Sequence, residues 1–244
     1  MPQEWSRNVC STLRVPLYHG TSTLFLEDIL RLGLGARDPI SELGVLNLAR
    51  AIRPLIHEHL TETDIYRARS DSFDRMADQF SGGRNFQHGQ VYLSPCRNTA
   101  IRYASSNRYG SELLTNTLDF LQVLVDRDVP TVRDTLYREY KPLFHFLDIS
   151  PAPVLVVVSD VPVANLADES GGDIQGALSE IDDMIVKFPD DYEEMLQQTN
   201  FRLISPLAPG DATVSLVNIT TYSPWQREYV LYALDSDKRV VGST

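Results

Sequence analysis

The sequence is poor in cysteine, in basic residues and in long apolar runs, and each shortage excludes or disfavours a class of protein. Two cysteines, Cys10 and Cys96, cannot build a disulfide framework or supply all four ligands of a structural zinc site. The 22 Lys and Arg residues are outnumbered by 33 Asp and Glu residues, and the net charge of −11 disfavours tight, nonspecific binding of nucleic acid. The longest apolar run, VLVVV at 154–158, is far shorter than the roughly 18 residues that span a membrane. Together, these shortages favour chemistry on a small molecule.

The first residues and the length of 244 residues predict one soluble domain. Residues 1–10 lack the basic stretch and the apolar segment of a signal peptide. We expect a single domain over residues 1–244, with no membrane as a partner. The expected location is the cytoplasm, or the interior of a target cell reached by a route that needs no signal peptide.

Strand and helix patterns alternate irregularly along the chain. Apolar and β-branched segments predict strands at 14–18, 91–94, 153–161, 212–220 and 228–234, with a turn at 19–22 after the first. Helical patterns cover 45–60, 71–80, 98–105, 111–125, 174–187 and 191–198, and a further helix is expected from Pro130. No G-x-G-x-x-G follows the first strand, and Walker, G-x-S-x-G and C-x-x-C motifs are missing. An α+β fold is therefore predicted.

Three short segments place polar or aromatic groups at the ends or edges of predicted strands. They are Tyr18-His19-Gly20-Thr21, Val91-Tyr92-Leu93-Ser94 and Arg227-Glu228-Tyr229-Val230. Each has an ordinary interpretation on its own: a turn at the end of a strand, a tyrosine in the core and a solvated glutamate. Their combination and their order along the chain carry the functional information.

In this order the segments resemble the signature of the ADP-ribosyltransferase superfamily. The likeness is to its diphtheria-toxin-like and poly(ADP-ribose) polymerase-like branch, whose His, Tyr and Glu lie on three separate strands. His19, Tyr92 and Glu228 match these three residues, and Tyr103 follows Tyr92 at the spacing of the family's paired tyrosines. Ala100 stands where the polymerases carry a serine, which favours the toxin-like side.

The resemblance implies an ADP-ribosyltransferase-like split β-sandwich that clasps NAD in a central cleft, with helical insertions at about 45–80 and 110–147. Transfer of ADP-ribose breaks the glycosidic bond to nicotinamide through an oxocarbenium-like transition state, which a carboxylate stabilises. The resemblance assigns that carboxylate to Glu228 and makes Glu228, His19 and Tyr92 the catalytic residues. It assigns contacts with NAD to His19, Gly20, Thr21, Tyr92, Ser94 and Tyr103.

More specific roles follow from the same resemblance. Tyr92 and Tyr103 would sandwich the nicotinamide ring, and the backbone of Gly20 would bind its carboxamide. His19 would form a hydrogen bond with a ribose hydroxyl, and Thr21 would support the turn or the adenosine end. Trp225 and Gln226, just before the catalytic strand, would contact the acceptor.

The chemistry that the resemblance implies requires no metal. His57 and His59 are the most metal-like pair in the sequence. Because they are two positions apart on a predicted helix, their side chains would point about 200° apart and could not share an ion.

We therefore expect an NAD-dependent mono-ADP-ribosyltransferase, for which NAD is the substrate and a macromolecule is the acceptor. A protein acceptor is favoured, a nucleic acid stays open, and water in place of the acceptor would give NAD glycohydrolase activity. A toxin, a delivered effector and a housekeeping modifier all fit this chemistry.

Two alternatives remain. An RNA 2′-phosphotransferase shares the fold and a His-Gly-Thr-like turn, but it depends on several arginines that handle phosphate. A catalytically inactive interaction module would keep the scaffold and use its acidic helices as the partner surface.

Overall fold

A computed structural model of the protein describes residues 12–82, 84–85, 88–169, 173–222, 227–234 and 240–243. Helices and short antiparallel strands are mixed along the chain, which confirms the α+β class. The chain divides into two compact units: the first contains Met1–Arg37, Gln90–Gly110 and Ala152–Thr244, and the second contains Asp38–Gly89 and Ser111–Pro151. The single domain expected from the length stays a prediction.

The elements are numbered here in chain order. The strands are β1 (Thr12–Leu13), β2 (Leu17–Ser22), β3 (Ser81–Gly82), β4 (Arg84–Asn85), β5 (Val91–Leu93), β6 (Pro153–Val158), β7 (Val161–Pro162), β8 (Leu166–Asp168), β9 (Phe201–Leu203), β10 (Ala212–Tyr222), β11 (Arg227–Leu234) and β12 (Val240–Ser243). The α-helices are α1 (Leu26–Leu32), α2 (Pro39–Glu42), α3 (Val45–His59), α4 (Asp64–Ala77), α5 (Arg97–Ser106), α6 (Glu112–Asp126), α7 (Tyr137–Glu139), α8 (Lys141–His145), α9 (Gln175–Lys187) and α10 (Tyr192–Met195).

The largest sheet of the first unit has five antiparallel strands in the order β12-β11-β10-β6-β2. Its β6 strand, PVLVVV, lies between β10 and β2, and Val154, Leu155 and Val156 are fully buried there. Such a continuous β-branched run is typical of a strand that is covered on both faces. β2 lies at the edge of the sheet.

The observed β2 contradicts the sequence prediction for this segment. The sequence predicts a strand at 14–18 and a turn at 19–22, whereas all six residues of β2 pair with β6 and His19 lies opposite Val156. Pairing with a buried neighbouring strand overrides the local preference of Gly20 for a turn. The His-Gly-Thr segment is therefore extended, and its side chains alternate between the two faces of the sheet.

A second, smaller sheet of the first unit contains three antiparallel strands in the order β5-β9-β8. One isolated bridge connects it to the larger sheet: Tyr18 N–H donates to the oxygen of Ser94 (2.8 Å), and Ser94 N–H donates to the oxygen of Tyr18 (2.9 Å). The inner side chains of this sheet pack with β6 in one hydrophobic core; they are Leu93, Leu166, Phe201 and Leu203. The two sheets are thus joined by backbone hydrogen bonds at this bridge and share a core.

Helix α5 packs on the face of the five-stranded sheet that lies away from this core. Ala100 and Ile101 of α5 form a second, smaller cluster with Tyr18, Leu155 and Leu231 of three strands. One face of the large sheet is thus covered by the core shared with the smaller sheet, and the other face is covered by α5. Each strand residue near the candidate site can therefore be assigned to one of these two faces.

The second unit is mainly helical and contains most of the two insertions expected at 45–80 and 110–147. Its core includes Ile52, Phe73 and Phe120, and the rings of Phe73 and Phe120 lie with centroids 5.1 Å apart. α4 begins seven positions before the predicted start at residue 71, because Thr63 Oγ1 accepts a hydrogen bond from the N–H of Tyr66 and caps the helix there. In the described part of the chain, no helix has the length and apolar character needed to cross a membrane.

Candidate functional site

His19 and Tyr92 are joined by a hydrogen bond between β2 and β5. His19 Nδ1 lies 2.9 Å from the backbone oxygen of Tyr92. Because a carbonyl oxygen only accepts, Nδ1 carries the hydrogen, and the lone pair of the neutral ring is on Nε2. Nε2 has no hydrogen-bond partner among the described residues. The imidazole therefore offers one acceptor in a fixed tautomer.

The surroundings of His19 keep this ring neutral. Burial lowers the pKa of His19 below its usual value, and the hydrogen bond to Tyr92 raises it by a smaller amount. At pH 7 the ring is therefore uncharged, and Nε2 accepts hydrogen bonds rather than donating them. A hydroxyl group is a fitting partner for such an acceptor.

The backbone of Gly20 points toward the side of β2 that carries no continuous partner strand. Tyr18 directs its N–H and C=O toward Ser94 of the smaller sheet. Alternate residues of a strand direct these groups to the same side, so those of Gly20 point there as well. Among the described residues the two strands share only the bridge at Tyr18 and Ser94, and Gly20 thus has a donor and an acceptor available for a planar amide.

A glycine is also required at position 20 because the backbone of α5 packs directly against it. A Cβ atom added to Gly20 would lie 2.0 Å from the oxygen of Ala100 and 2.9 Å from the nitrogen of Ala104. These are backbone atoms of one helical turn, and they cannot move without moving α5. Tyr103 lies on this same turn, and it is 38% exposed.

Thr21 and Ser94, both assigned to NAD by the resemblance, are buried. Ser94 Oγ donates to the oxygen of Thr199 (3.4 Å) and accepts from the N–H of Cys96 (3.2 Å). Its hydroxyl thus has a structural role next to the bridge. The contacts of both residues with NAD stay predictions.

Glu228 lies near the start of β11, opposite Thr221 of β10, and is exposed. Its neighbour Tyr229 packs with the α5 side of the sheet. Alternation therefore places Glu228 on the other face, which is the face of His19. His19 is level with Val156 of β6 and Val214 of β10, and the register of β10 with β11 continues this row to Leu234. Glu228 is therefore three strands from β2 and six positions from this row, and the structure does not bring it next to His19. Trp225 and Gln226 lie outside the described residues.

A cluster of three charged or polar side chains, which the sequence does not predict, fixes the start of α5. Glu193 of α10 accepts a hydrogen bond from the Tyr18 hydroxyl (3.0 Å) and another from the backbone N–H of Arg97 (3.3 Å). The Arg97 guanidinium lies 5.3 Å from the centre of the Tyr18 ring. Burial is the main reason that the pKa of Tyr18 rises to about 12. Glu193 stands beside Glu194 and close to two aspartates, which is the sequence context of a solvated acid, whereas in the structure its carboxylate accepts these two hydrogen bonds.

Replacing Glu193 with Ala should lower the free energy of unfolding by about 1 to 3 kcal/mol, because a buried hydroxyl and a helix N-terminal N–H would lose their acceptor. Glu193→Gln keeps an acceptor oxygen and should cost less. Urea unfolding of both variants measures the difference. Equal stability of the wild type and both variants would show that Glu193 does not hold these elements.

His88, in the second unit, gives the protein an expected sensitivity to acid. Its Nε2 is buried without a hydrogen-bond partner in the described part of the chain, and burial lowers the pKa of His88 to about 4. Between pH 6.5 and 4 the unfolded chain therefore binds more protons at this residue than the folded chain, so stability falls as the pH falls.

Between pH 7 and pH 4, the wild type should lose about 3 kcal/mol more unfolding free energy than His88→Phe does. Denaturant unfolding at several pH values measures this difference, and pH 7 to 8 provides the baseline at which the two curves should run parallel. If the unfolding free energies of the two proteins fall in parallel down to pH 4, the expected effect of His88 on acid stability is wrong.

In comparisons with known proteins, no family model, no curated protein and no solved structure matches the chain. Within the described residues, no group of three or more His, Cys, Asp or Glu side chains could hold a metal ion.

Proposed function

We propose that the protein is an NAD-dependent mono-ADP-ribosyltransferase with the split β-sandwich of that superfamily. The enzyme would release nicotinamide from NAD and transfer ADP-ribose to a macromolecular acceptor. The observation that carries the proposal is the neutral His19 imidazole held against Tyr92, next to the open backbone edge of Gly20. These residues belong to two of the three signature segments, and the two segments meet at the bridge between Tyr18 and Ser94. Glu228, from the third segment, is on the same face of the sheet as His19 but three strands away, so its approach to the same ligand is part of the proposal.

His19 and Gly20 would bind different parts of NAD. The lone pair on His19 Nε2 would accept a hydrogen bond from a ribose hydroxyl, which needs no charge on the ring. The N–H of Gly20 would donate a hydrogen bond to the oxygen of the carboxamide, and the C=O of Gly20 would accept one from its nitrogen. Tyr92 and Tyr103 would supply aromatic faces for the nicotinamide ring.

Glu228 would act on the bond that breaks. The glycosidic bond between the ribose carbon and the pyridinium nitrogen breaks, and its electron pair leaves with neutral nicotinamide. The positive charge that develops on the ribose is stabilised by the Glu228 carboxylate, which also binds the neighbouring 2′-hydroxyl. The acceptor nucleophile then forms a bond to the same carbon and loses its proton to Glu228 or to water.

The test is incubation of the protein with isotope-labelled NAD and with cell protein and nucleic acid, followed by mass spectrometry. We expect labelled ADP-ribose on a macromolecule together with free nicotinamide. Nicotinamide with free ADP-ribose alone would make the protein an NAD glycohydrolase. No turnover of NAD would favour the interaction module, and removal of a 2′-phosphate from RNA would favour the phosphotransferase.

A further inference from the structure

Arg202 lies beside Tyr92 with a buried donor that has no partner. Tyr92 of β5 is directly opposite Arg202 of β9, so their side chains share one face of the three-stranded sheet. Phe201 and Leu203, on either side of Arg202, point into the core on the other face. Arg202 Nε is buried and makes no hydrogen bond with any described residue.

A buried N–H donor without an acceptor is unfavourable in the folded protein. Its lost hydrogen bond to water is repaid only by an acceptor, and most strongly by a negatively charged one. Acidic residues outnumber basic ones in this chain by 33 to 22, yet no carboxylate of the described residues pairs with Arg202. The missing acceptor is therefore expected to come from a ligand.

The position of Arg202 defines which part of a ligand it meets. Tyr92 links Arg202 on one side to His19 on the other, through the hydrogen bond from His19 Nδ1 to the Tyr92 oxygen. A ligand against the Tyr92 ring thus meets a neutral acceptor at His19 and a fixed cation at Arg202. An arginine presents N–H donors in the planar arrangement that matches phosphate oxygens.

We infer that Arg202 is a binding residue for the phosphate groups of the ligand, which under the proposed function are the pyrophosphate of NAD. The inference rests on the proposed function for the identity of the ligand, but not for the anionic character of the site. Arg202 positions the dinucleotide between the two sheets and distinguishes it from nucleosides that carry no phosphate. It does not contact the bond that breaks.

The experiment compares NAD with nicotinamide riboside, which lacks the phosphates, by calorimetric titration. Arg202→Gln should weaken binding of NAD about 10- to 100-fold, the range for a hydrogen bond to a charged group, and should leave binding of nicotinamide riboside within about twofold of the wild type. Arg202→Lys should retain part of the affinity for NAD because it keeps the charge. Arg31→Gln, which removes an exposed arginine of α1 in the same unit, is the matched control and should change neither affinity.

Two further measurements separate this inference from the proposed function. Melting without ligand should show Arg202→Gln to be as stable as the wild type or more stable, because it removes a buried donor that has no acceptor. Inorganic pyrophosphate should raise the melting temperature of the wild type but not that of Arg202→Gln.

If pyrophosphate acts through Arg202 and NAD does not bind, the anion site stands and the proposed function is wrong. If NAD binds to the wild type, two results would overturn the role of Arg202. Arg202→Gln could weaken the binding of NAD and of nicotinamide riboside equally, or it could leave both affinities unchanged. Failure of the wild type to respond to either pyrophosphate or NAD would overturn it as well.

Discussion

Replacing Glu228 with Gln should reduce release of nicotinamide from NAD by about 100-fold or more, with little change in the affinity for NAD. Glutamine keeps the size of the side chain and a hydrogen-bonding oxygen, so the ground-state contact with the ribose hydroxyl that we propose would survive. The negative charge that opposes the oxocarbenium ion is lost. Because that charge matters only as the glycosidic bond breaks, the effect should fall on turnover rather than on binding.

Nicotinamide release and ADP-ribose transfer are to be measured side by side for both proteins, with thermal melting to test folding. Glu228 is exposed, so the variant should melt with the wild type. Glu58→Gln, the same exchange at an exposed residue of α3, is the matched control and should retain full activity. Full activity in a folded Glu228→Gln protein would exclude Glu228 as the catalytic acid and favour the phosphotransferase or the interaction module.

The sequence predicts the elements of the candidate site better than it predicts their local geometry. β-branched composition is sufficient to find the buried strand β6, and the predicted strand at 228–234 agrees with β11 within one residue. The predicted turn at the His-Gly-Thr segment is wrong, because the segment is extended through pairing with β6, which is more than 130 residues away. Pairing between distant strands is not visible in local residue preferences.

The residues that support the site are harder to predict than the signature residues. Glu193 has the sequence context of a solvated acid, and only folding brings it to the start of α5 and to Tyr18. Arg202 belongs to a three-residue strand, which is too short for periodicity to identify. Glu193 binds groups of Tyr18 and Arg97, and Arg202 lies opposite Tyr92, all of which are far away in the sequence. A single sequence therefore carries little information about either residue.

Replacing Gly20 with Ala should lower the free energy of unfolding by about 3 kcal/mol or more, the upper end of the range for overpacking. The new methyl group would meet the backbone oxygen of Ala100 at 2.0 Å. Since a backbone atom cannot rotate away, either α5 moves off the sheet or β2 bends. For a chain of this length, the melting temperature should fall by roughly 6 to 12 °C.

The control for this substitution is Gly176→Ala in α9, where an added Cβ atom meets nothing within 4 Å. A helical alanine should leave the stability unchanged or raise it by up to about 1 kcal/mol. The two variants add the same methyl group, so their difference isolates the contact with α5. A Gly20→Ala protein as stable as Gly176→Ala would show that α5 does not pass against β2 in the way described. Under the proposed function, a folded Gly20→Ala protein should also bind nicotinamide less tightly than the wild type in a calorimetric titration, because displacement of α5 moves Tyr103 together with the edge of β2.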